Sequence, residues 1–186
     1  MSNSWEMKSG ASEQPANDTY FARIVGVVNL GKQPGFMYNG EMQAPENKSE
    51  ITYELVTTSM EDGRPFHISE QVNMKKGTEA KATKRFNAVG VEIGNFPALL
   101  NKTVMVTTEL NKNGYANVKG VAAAPSGMDV PELRNAQYAF SIFDEDPDMT
   151  LFESFSNFRQ SKIKAALDFE GTELHKRILA DATSDL

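Results

Sequence analysis

The sequence contains no cysteine, which excludes disulfides, thiol nucleophiles and cysteine-ligated metal sites. For a chain of 186 residues this absence favours a reducing compartment, and we expect a cytoplasmic protein. No apolar run approaches the roughly 18–20 residues that a membrane-spanning helix needs. Residues 1–18 also lack the apolar segment of a signal peptide. These absences predict a protein that is neither exported nor membrane-anchored.

Residues for catalysis are scarce as well. The two histidines, His67 and His175, lie far apart, and no phosphate-binding loop, dinucleotide fingerprint, nucleophile elbow or zinc-protease motif occurs. The one carboxylate cluster is Asp144–Asp148, which could chelate Mg²⁺ in a nuclease. We favour instead a solvated loop that caps the following helix, and we expect no enzyme, no metal site and no cofactor.

Apolar residues, by contrast, are plentiful, at 40% of the chain, which is enough for a folded core. The net charge of −6 is unevenly distributed. Residues 1–138 carry 14 Lys and Arg against 15 Asp and Glu, whereas residues 139–186 carry 5 against 10. Because local patches decide whether a polyanion can bind, the acidic total does not exclude nucleic acid.

Alternating apolar and polar residues predict strands over 19–30, 49–58, 66–72, 103–110 and 115–124. In the first of these, Gly26 suggests a bulge, and even-numbered residues from Tyr20 to Leu30 are expected on one face. Asn113-Gly114 is typical of a tight hairpin turn. Residues 137–143 are a candidate for a short additional strand.

Helical patterns follow the third strand and dominate the end of the chain. Thr78 is the expected cap of a short helix reaching residue 88. Near the C-terminus, Asp148 or Thr150 and then Ser161 are expected to cap helices, and Gly171 precedes a last one. An apolar stripe that includes Phe155 and Phe158 suggests that the first of these helices packs against another surface.

This order predicts a mainly β protein: a five-stranded, OB-fold-like Greek-key barrel with a short helix between strands 3 and 4 and a helical C-terminal extension. We expect a disordered N-terminal tail over 1–18, the barrel over 19–143 and the extension over 144–186. Such barrels commonly bind oligonucleotides across strands 2 and 3 and between two loops.

The densest basic segment runs from Lys75 to Arg85, with five positive charges and one negative. Spacing of three and four residues would place part of it on one face of a helix, where it could neutralise successive phosphates. A merely solvated helix surface is the alternative. The basic residues of this segment are Lys75, Lys76, Lys81, Lys84 and Arg85.

Aromatic residues lie beside basic ones in the predicted loops. Phe36 and Tyr38 follow Lys32, and Tyr115 follows Lys112 in the second hairpin. Aromatic rings in such positions can stack on unpaired bases, although each could instead anchor its own loop.

Four stretches together form a recognisable pattern: TYFARIVGVVNLGKQPGF, SEITYELVTT, DGRPFHISEQVNMKKGTEAKATKRFNAVG and ALLNKTVMVTTELNKNGYANVKGVAAAPSG. The region they cover, about 19–135, resembles single-stranded DNA-binding proteins of tailed bacteriophages. The resemblance implies an OB-fold that coats exposed strands during phage replication and recombination, in the host cytoplasm. Many such proteins end in an acidic tail with a terminal aromatic residue; this chain ends in DATSDL and departs from that pattern.

We therefore expect sequence-independent binding of single-stranded DNA. Phage or host replication and recombination proteins are further expected partners, no membrane is expected, and self-association is left open. The rival functions are a non-catalytic virion, assembly or protein-interaction module, and a Mg²⁺-dependent nuclease. The expected phosphate contacts are Lys32, Lys75, Lys76, Lys81, Lys84, Arg85, Lys112 and Lys119, and the expected stacking residues are Phe36, Tyr38 and Tyr115.

Overall fold

The computed structural model of the protein describes residues 12–184. The fold is mainly β, with eight strands, four α-helices and one short 3₁₀ helix in this region. In chain order the elements are β1 (Thr19–Gln33), β2 (Met37–Tyr38), β3 (Glu41–Met42), β4 (Glu46–Ser59), β5 (Pro65–Asn73), α1 (Lys81–Val89), the 3₁₀ helix (Phe96–Leu99), β6 (Thr103–Leu110), β7 (Ala116–Ala123), β8 (Tyr138–Ser141), α2 (Met149–Ser154), α3 (Asn157–Lys164) and α4 (Glu173–Ser184).

One sheet contains six of the strands and is built around β1. Its order is β5-β4-β1-β6-β7, with every neighbouring pair antiparallel. The short β8 pairs with β1 in parallel, which confirms the additional strand predicted over 137–143. The two ends of the order, β5 and β7, contact each other. Helix α1 connects β5 to β6, as predicted for the helix between the third and fourth long strands.

The first hydrophobic core lies on the inner face of this sheet. It contains alternate residues of the long strands, such as Ile24 and Ile51, both nearly inaccessible to solvent. Phe86 of α1 packs edge-on against Phe96 of the 3₁₀ helix, with ring centroids 5.0 Å apart. The segment from α1 to the 3₁₀ helix therefore contributes to the core.

Gly26 interrupts the alternation of β1, as predicted for a bulge. The pairing of β1 with β4 shifts register between Ile24 and Gly26. A Cβ atom at Gly26 would lie 2.1 Å from the ring of Tyr138, so glycine permits β8 to approach. Because of this bulge, Val27 belongs to the first core and Val28 to a second one. The prediction that all even-numbered residues of β1 share a face is wrong beyond the bulge, because the extra residue inverts the alternation.

The second core joins the opposite face of β1 to the C-terminal extension. Val28 and Leu30 of β1 pack there with Phe152 and Phe155 of the α2 region and with Leu174 of α4. The extension is thus attached by a hydrophobic core of its own. No helix within residues 12–184 is both long and apolar enough to cross a membrane.

The N-terminal segment is ordered where the structure describes it. The side chain of Thr108 donates a hydrogen bond to the carbonyl of Ala16, the amide of Leu110 donates to Asn17, and the amide of Ala116 donates to Gln14. The predicted disordered tail over 1–18 is therefore wrong from Gln14 onward, because this segment lies along the β6–β7 hairpin. Residues 1–11 lie outside the described part of the chain.

Several helix boundaries also differ from the prediction. Helix α1 begins after Ala80, which has no side-chain cap, and not at Thr78. Asp148 caps α2 by accepting from the amide of Leu151, as predicted. Ser156, not Ser161, caps α3. Cap propensity alone therefore does not fix where these helices begin, because tertiary packing also decides the first residue of each.

Candidate nucleic-acid interface

The connection between β1 and β4 projects a small hairpin whose apolar side chains face solvent. Strands β2 and β3 pair through Met37 and Met42. Asn39 and Gly40 have φ angles of 49° and 81°, the left-handed conformation that a tight turn of this type requires. The exposed fractions are 54% for Phe36, 61% for Met37 and Tyr38, and 69% for Met42. We call residues 34–45 the finger hairpin.

Two lysines lie next to the finger hairpin, one in β4 and one in the loop after β5. The Lys48 ammonium group is 5.4 Å from the centroid of the Phe36 ring, within cation–π distance. Lys75 forms an ion pair with Glu46 at 2.6 Å. A pocket of about 190 Å³ has Phe36, Glu46, Lys48 and Asn73 in its wall. Phe36, a predicted stacking residue, therefore lies beside a pocket that is lined by one lysine and one carboxylate.

A second pocket lies beside the first along the same edge. Its volume is about 480 Å³, and Lys75 and Lys76 line it together with apolar residues that include Phe86 and Phe96. Lys76 is exposed, and within residues 12–184 no carboxylate lies within ion-pair distance of it. Lysines next to an apolar wall can hold a phosphate while the wall contacts a base.

Lys32 lies at the end of β1, directly before the finger hairpin. Its side chain is exposed, and its backbone is held on both sides: its amide donates to Asp168 at 2.9 Å and its carbonyl accepts from Leu167 at 2.8 Å. Lys32 pairs with Asn47 in the sheet, one residue from Lys48. Lys32 at the start of the finger hairpin, Phe36 and Tyr38 on it, and Lys75 paired with Glu46 just after it therefore lie at the same end of the β1–β4 pair, and Lys76 follows Lys75.

The predicted basic face of α1 is largely occupied by ion pairs. Lys81 pairs with Glu70 at 2.8 Å, and Lys84 pairs with Glu79 at 2.9 Å. Arg85 is not on a solvated face: it is buried and donates to both carboxylate oxygens of Glu70. The prediction that Arg85 contacts phosphate is wrong, because α1 packs this side chain onto β5.

The environment of Arg85 and Glu70 shifts the pKa values of three groups. Burial and the neighbouring carboxylate of Glu70 raise the pKa of Tyr53 well above its ordinary value. Burial alone would raise the pKa of Glu70, but hydrogen bonds and charge from Arg85, with Lys81, lower it. Burial would lower the pKa of Arg85, and Glu70 raises it. The cluster is therefore a charged pair that holds α1 on the sheet.

The other predicted contacts lie at the opposite end of β1. The β6–β7 turn carries Tyr115, which is 56% exposed, and Lys112, which is also exposed. Lys119 pairs with Glu109 at 3.2 Å. Since Thr19 pairs with Thr107, this hairpin adjoins the start of β1, whereas the finger hairpin follows its end. The structure does not bring these three residues next to the finger hairpin.

Three of the four carboxylates in the acidic run have structural partners. Asp144 accepts from the amide of Ser141, Asp146 pairs with Arg177, and Asp148 caps α2. No group of three or more His, Cys, Asp or Glu residues in the described part of the chain could hold a metal ion.

Sequence reasoning missed three residues of this interface. Lys48 lies in β4, one residue before the strand predicted over 49–58, and it contacts an aromatic ring twelve residues earlier in the chain. Met37 and Met42 were passed over because their exposure depends on the β2–β3 pairing, which is too short to give a pattern. The signal that could have found Met37 is the apolar cluster between Gly35 and Gly40, in a segment otherwise rich in turn residues. Met42 and Lys48 lie outside that cluster.

Comparison of the chain with protein-family models, curated proteins and solved structures gives no match, so the residues described above are the basis for any functional conclusion.

Proposed function

We propose that this protein binds single-stranded DNA without reading its sequence, and that the finger hairpin with its adjoining lysines is the main contact. The observation that carries the proposal is the exposed Phe36 ring with the cation of Lys48 over it, next to a second exposed ring, Tyr38, on the same hairpin. An unpaired base exposes a π face for stacking, and its phosphate needs a cation, so this arrangement suits a single strand. In a duplex the bases are stacked and paired with one another, so the rings of Phe36 and Tyr38 could not stack on them.

The strand order supports an OB-type barrel as the scaffold. In that fold strand 1 lies between strands 2 and 4, a helix often connects strands 3 and 4, and loops 1–2 and 4–5 flank the ligand. Here β1 lies between β4 and β6, and α1 connects β5 to β6. The finger hairpin then corresponds to loop 1–2 and the turn at Tyr115 to loop 4–5. The exposed aromatic residues in both loops support a binding mode in which the DNA strand contacts both ends of β1.

The charge distribution supports the same proposal. Lys32, Lys48, Lys76 and Lys112 have no carboxylate within ion-pair distance among the described residues, whereas Lys75, Lys81, Lys84 and Lys119 do. Binding a phosphate at an unpaired lysine releases counterions without breaking an existing pair. The unpaired set therefore contributes most to affinity. A role in phage replication or recombination, with phage or host proteins as partners, follows from the sequence resemblance and is part of the proposal.

One observation favours a rival function, a protein-interaction module. Met37 and Met42 are exposed on the finger hairpin, and exposed methionines are common on surfaces that bind other proteins. Such a module would not need the lysines, and its binding would not fall steeply with salt. The two functions therefore differ in a measurable way.

Fluorescence anisotropy with labelled oligo-dT and with a duplex of the same length, each at low and high salt, tests the proposal. We expect tighter binding to the single strand and a linear fall of log K with log salt. The double variant Phe36→Ala/Tyr38→Ala should bind the strand at least fivefold more weakly, since one stacked base contributes about 1–3 kcal/mol. Phe143→Ala, which removes a 51% exposed ring outside this surface, is the matched control. Equal affinity for the duplex, or no binding at low salt, would refute the proposal.

A further inference from the structure

Helix α3 carries a basic and aromatic surface inside the acidic part of the chain. Between Ser154 and Leu167 the sequence contains Arg159, Lys162 and Lys164 and no Asp or Glu. Phe158, expected from its spacing to be part of an apolar stripe, is 65% exposed, more than any other aromatic side chain in the described region. Its ring has the ammonium group of Lys162 at 5.7 Å from the centroid.

This arrangement repeats that of the finger hairpin. In both places an exposed phenylalanine is covered by one lysine, Phe36 by Lys48 and Phe158 by Lys162. Neither lysine has a carboxylate within ion-pair distance in the described part of the chain. In each pair the ring is exposed and the lysine is partly exposed, so a phosphate can contact the lysine while a base stacks on the ring.

The two surfaces are joined at the end of β1. The side chain of Gln33 donates to the carbonyl of Lys162 at 3.0 Å, and the amide of Leu167 donates to the carbonyl of Lys32 at 2.8 Å. The C-terminal end of α3 therefore contacts the two residues that precede the finger hairpin. Lys32 directly precedes the finger hairpin, and its backbone contacts Leu167 and Asp168 just after α3.

Arg159 holds α3 in this position. It donates to Glu50 at 2.5 Å and to the hydroxyl groups of Thr52 and Tyr138 at 3.2 Å. Its guanidinium group lies 4.9 Å from the centroid of Phe155. These contacts, together with the second core, fix α3 against β4, so its outer surface has a defined place beside the finger hairpin.

We propose that α3 is a second part of the single-stranded DNA site, with Phe158 stacking on a base and Lys162 contacting the neighbouring phosphate, so that one strand passes from the finger hairpin across Lys32 to α3. The inference rests on the proposed function. The C-terminal extension is acidic in total, but α3 gives it a local cationic surface, and this surface attracts the phosphates of the DNA strand.

The test uses the full chain with two labelled dT oligomers, of about 4 and about 16 nucleotides, the range of site sizes for one OB barrel. Phe158→Ala should weaken binding of the longer strand at least about fivefold. The same variant should leave the affinity for the shorter oligomer unchanged, because that oligomer fits on the finger hairpin alone. Lys162→Ala should reduce the salt slope for the longer strand by about 0.7, the value of one single-strand phosphate contact.

The controls are Leu179→Ala, which truncates a 54% exposed side chain on α4, and Lys102→Ala, which removes an exposed charge before β6. If the parent binds and Phe158→Ala matches Leu179→Ala, the inference is wrong and the proposed function stands. If the parent binds neither strand, the proposed function fails and the inference fails with it. If Phe158→Ala only dissociates a dimer in light scattering, α3 is a subunit interface and the inference is overturned.

A second measurement needs no variant. Ultraviolet crosslinking of the unmodified protein to a long strand containing 5-iododeoxyuridine should recover the peptide that carries Phe158. Crosslinks confined to the finger hairpin and the Lys75–Lys76 loop would overturn the inference even if Phe158→Ala folded poorly.

Discussion

Arg85 of α1 donates hydrogen bonds of 2.7 Å and 3.1 Å to the two carboxylate oxygens of Glu70 on β5, and both side chains are nearly excluded from solvent. The hydroxyl of Tyr53 donates to the same carboxylate at 2.6 Å. Glu70 thus accepts from two elements at once. The pair attaches the helix to the sheet, and it accounts for an arginine that cannot serve as a phosphate ligand.

Arg85→Ala should therefore reduce stability rather than DNA affinity. Without Arg85 the buried Glu70 carboxylate keeps only Lys81 and the Tyr53 hydroxyl as partners, and breaking a buried pair costs up to about 3–5 kcal/mol. Lys84→Ala, one position earlier, removes an exposed pair and should change the free energy of unfolding by less than about 1 kcal/mol. Urea unfolding of both variants measures the difference. Equal stabilities would show that the Arg85 pair does not hold α1.

The lowered pKa of Glu70 also predicts that the free energy of unfolding depends on pH in the acid range. Its pKa in the folded protein lies below the ordinary value of 4.5, so its contribution is present above that pH and is lost as the pH falls through the lowered pKa. Glu70→Gln should be less stable at neutral pH, and its stability should fall less steeply below about pH 4.5. Urea midpoints measured across the acid range test this; parallel curves for parent and variant would contradict it.

Gly26 and Tyr138 should behave as a coupled pair. A methyl group at position 26 would overlap the Tyr138 ring, so Gly26→Ala should destabilise the protein by about 1–3 kcal/mol, the usual cost of overpacking. In Gly26→Ala/Tyr138→Ala the overlap is gone, and the double variant should lose less stability than the sum of the single variants. Additive losses in a double-mutant cycle would show that the close approach is unimportant.

The last helix should be required for stability. Leu174 is fully buried in the second core, so truncation after Glu170 removes a core residue. Leu174→Ala should cost about 2–5 kcal/mol, whereas Leu179→Ala on the exposed side of α4 should be close to neutral. Thermal unfolding compares the two. A folded truncation with unchanged melting temperature would show that α4 is dispensable.

Local pattern was sufficient to predict most of the sheet. The β6 bounds, Thr103–Leu110, match the predicted strand, and the Asn113-Gly114 turn joins it to β7. Alternation over eight residues and a turn that requires left-handed φ are both local properties, so they can be read from neighbouring residues alone. Gly26 was also identified as a bulge from its place within a long strand.

The site was harder to predict because exposure depends on distant contacts. The spacing of Lys81, Lys84 and Arg85 predicted a common helix face, but only the packing of α1 on β5 shows that Arg85 points inward. Phe158 has the spacing of an apolar stripe, yet it lies in a separate helix, α3, which begins after the cap Ser156 and places Phe158 on its exposed side. Period and spacing identify faces of a helix; they do not identify which face meets the rest of the protein.

The position of β1 at the centre of the sheet has a consequence for synthesis of the chain. β1 pairs with β4, β6 and β8, and it is synthesised before all three. The last of these partners, β8, begins about 105 residues after β1 ends. At the usual rate of translation this is an interval of roughly 5–20 s. During that time an apolar fifteen-residue strand has at least one free edge, the state in which strands of different chains associate. Slow or interrupted translation between β4 and β8 is therefore expected to favour aggregation of the nascent chain.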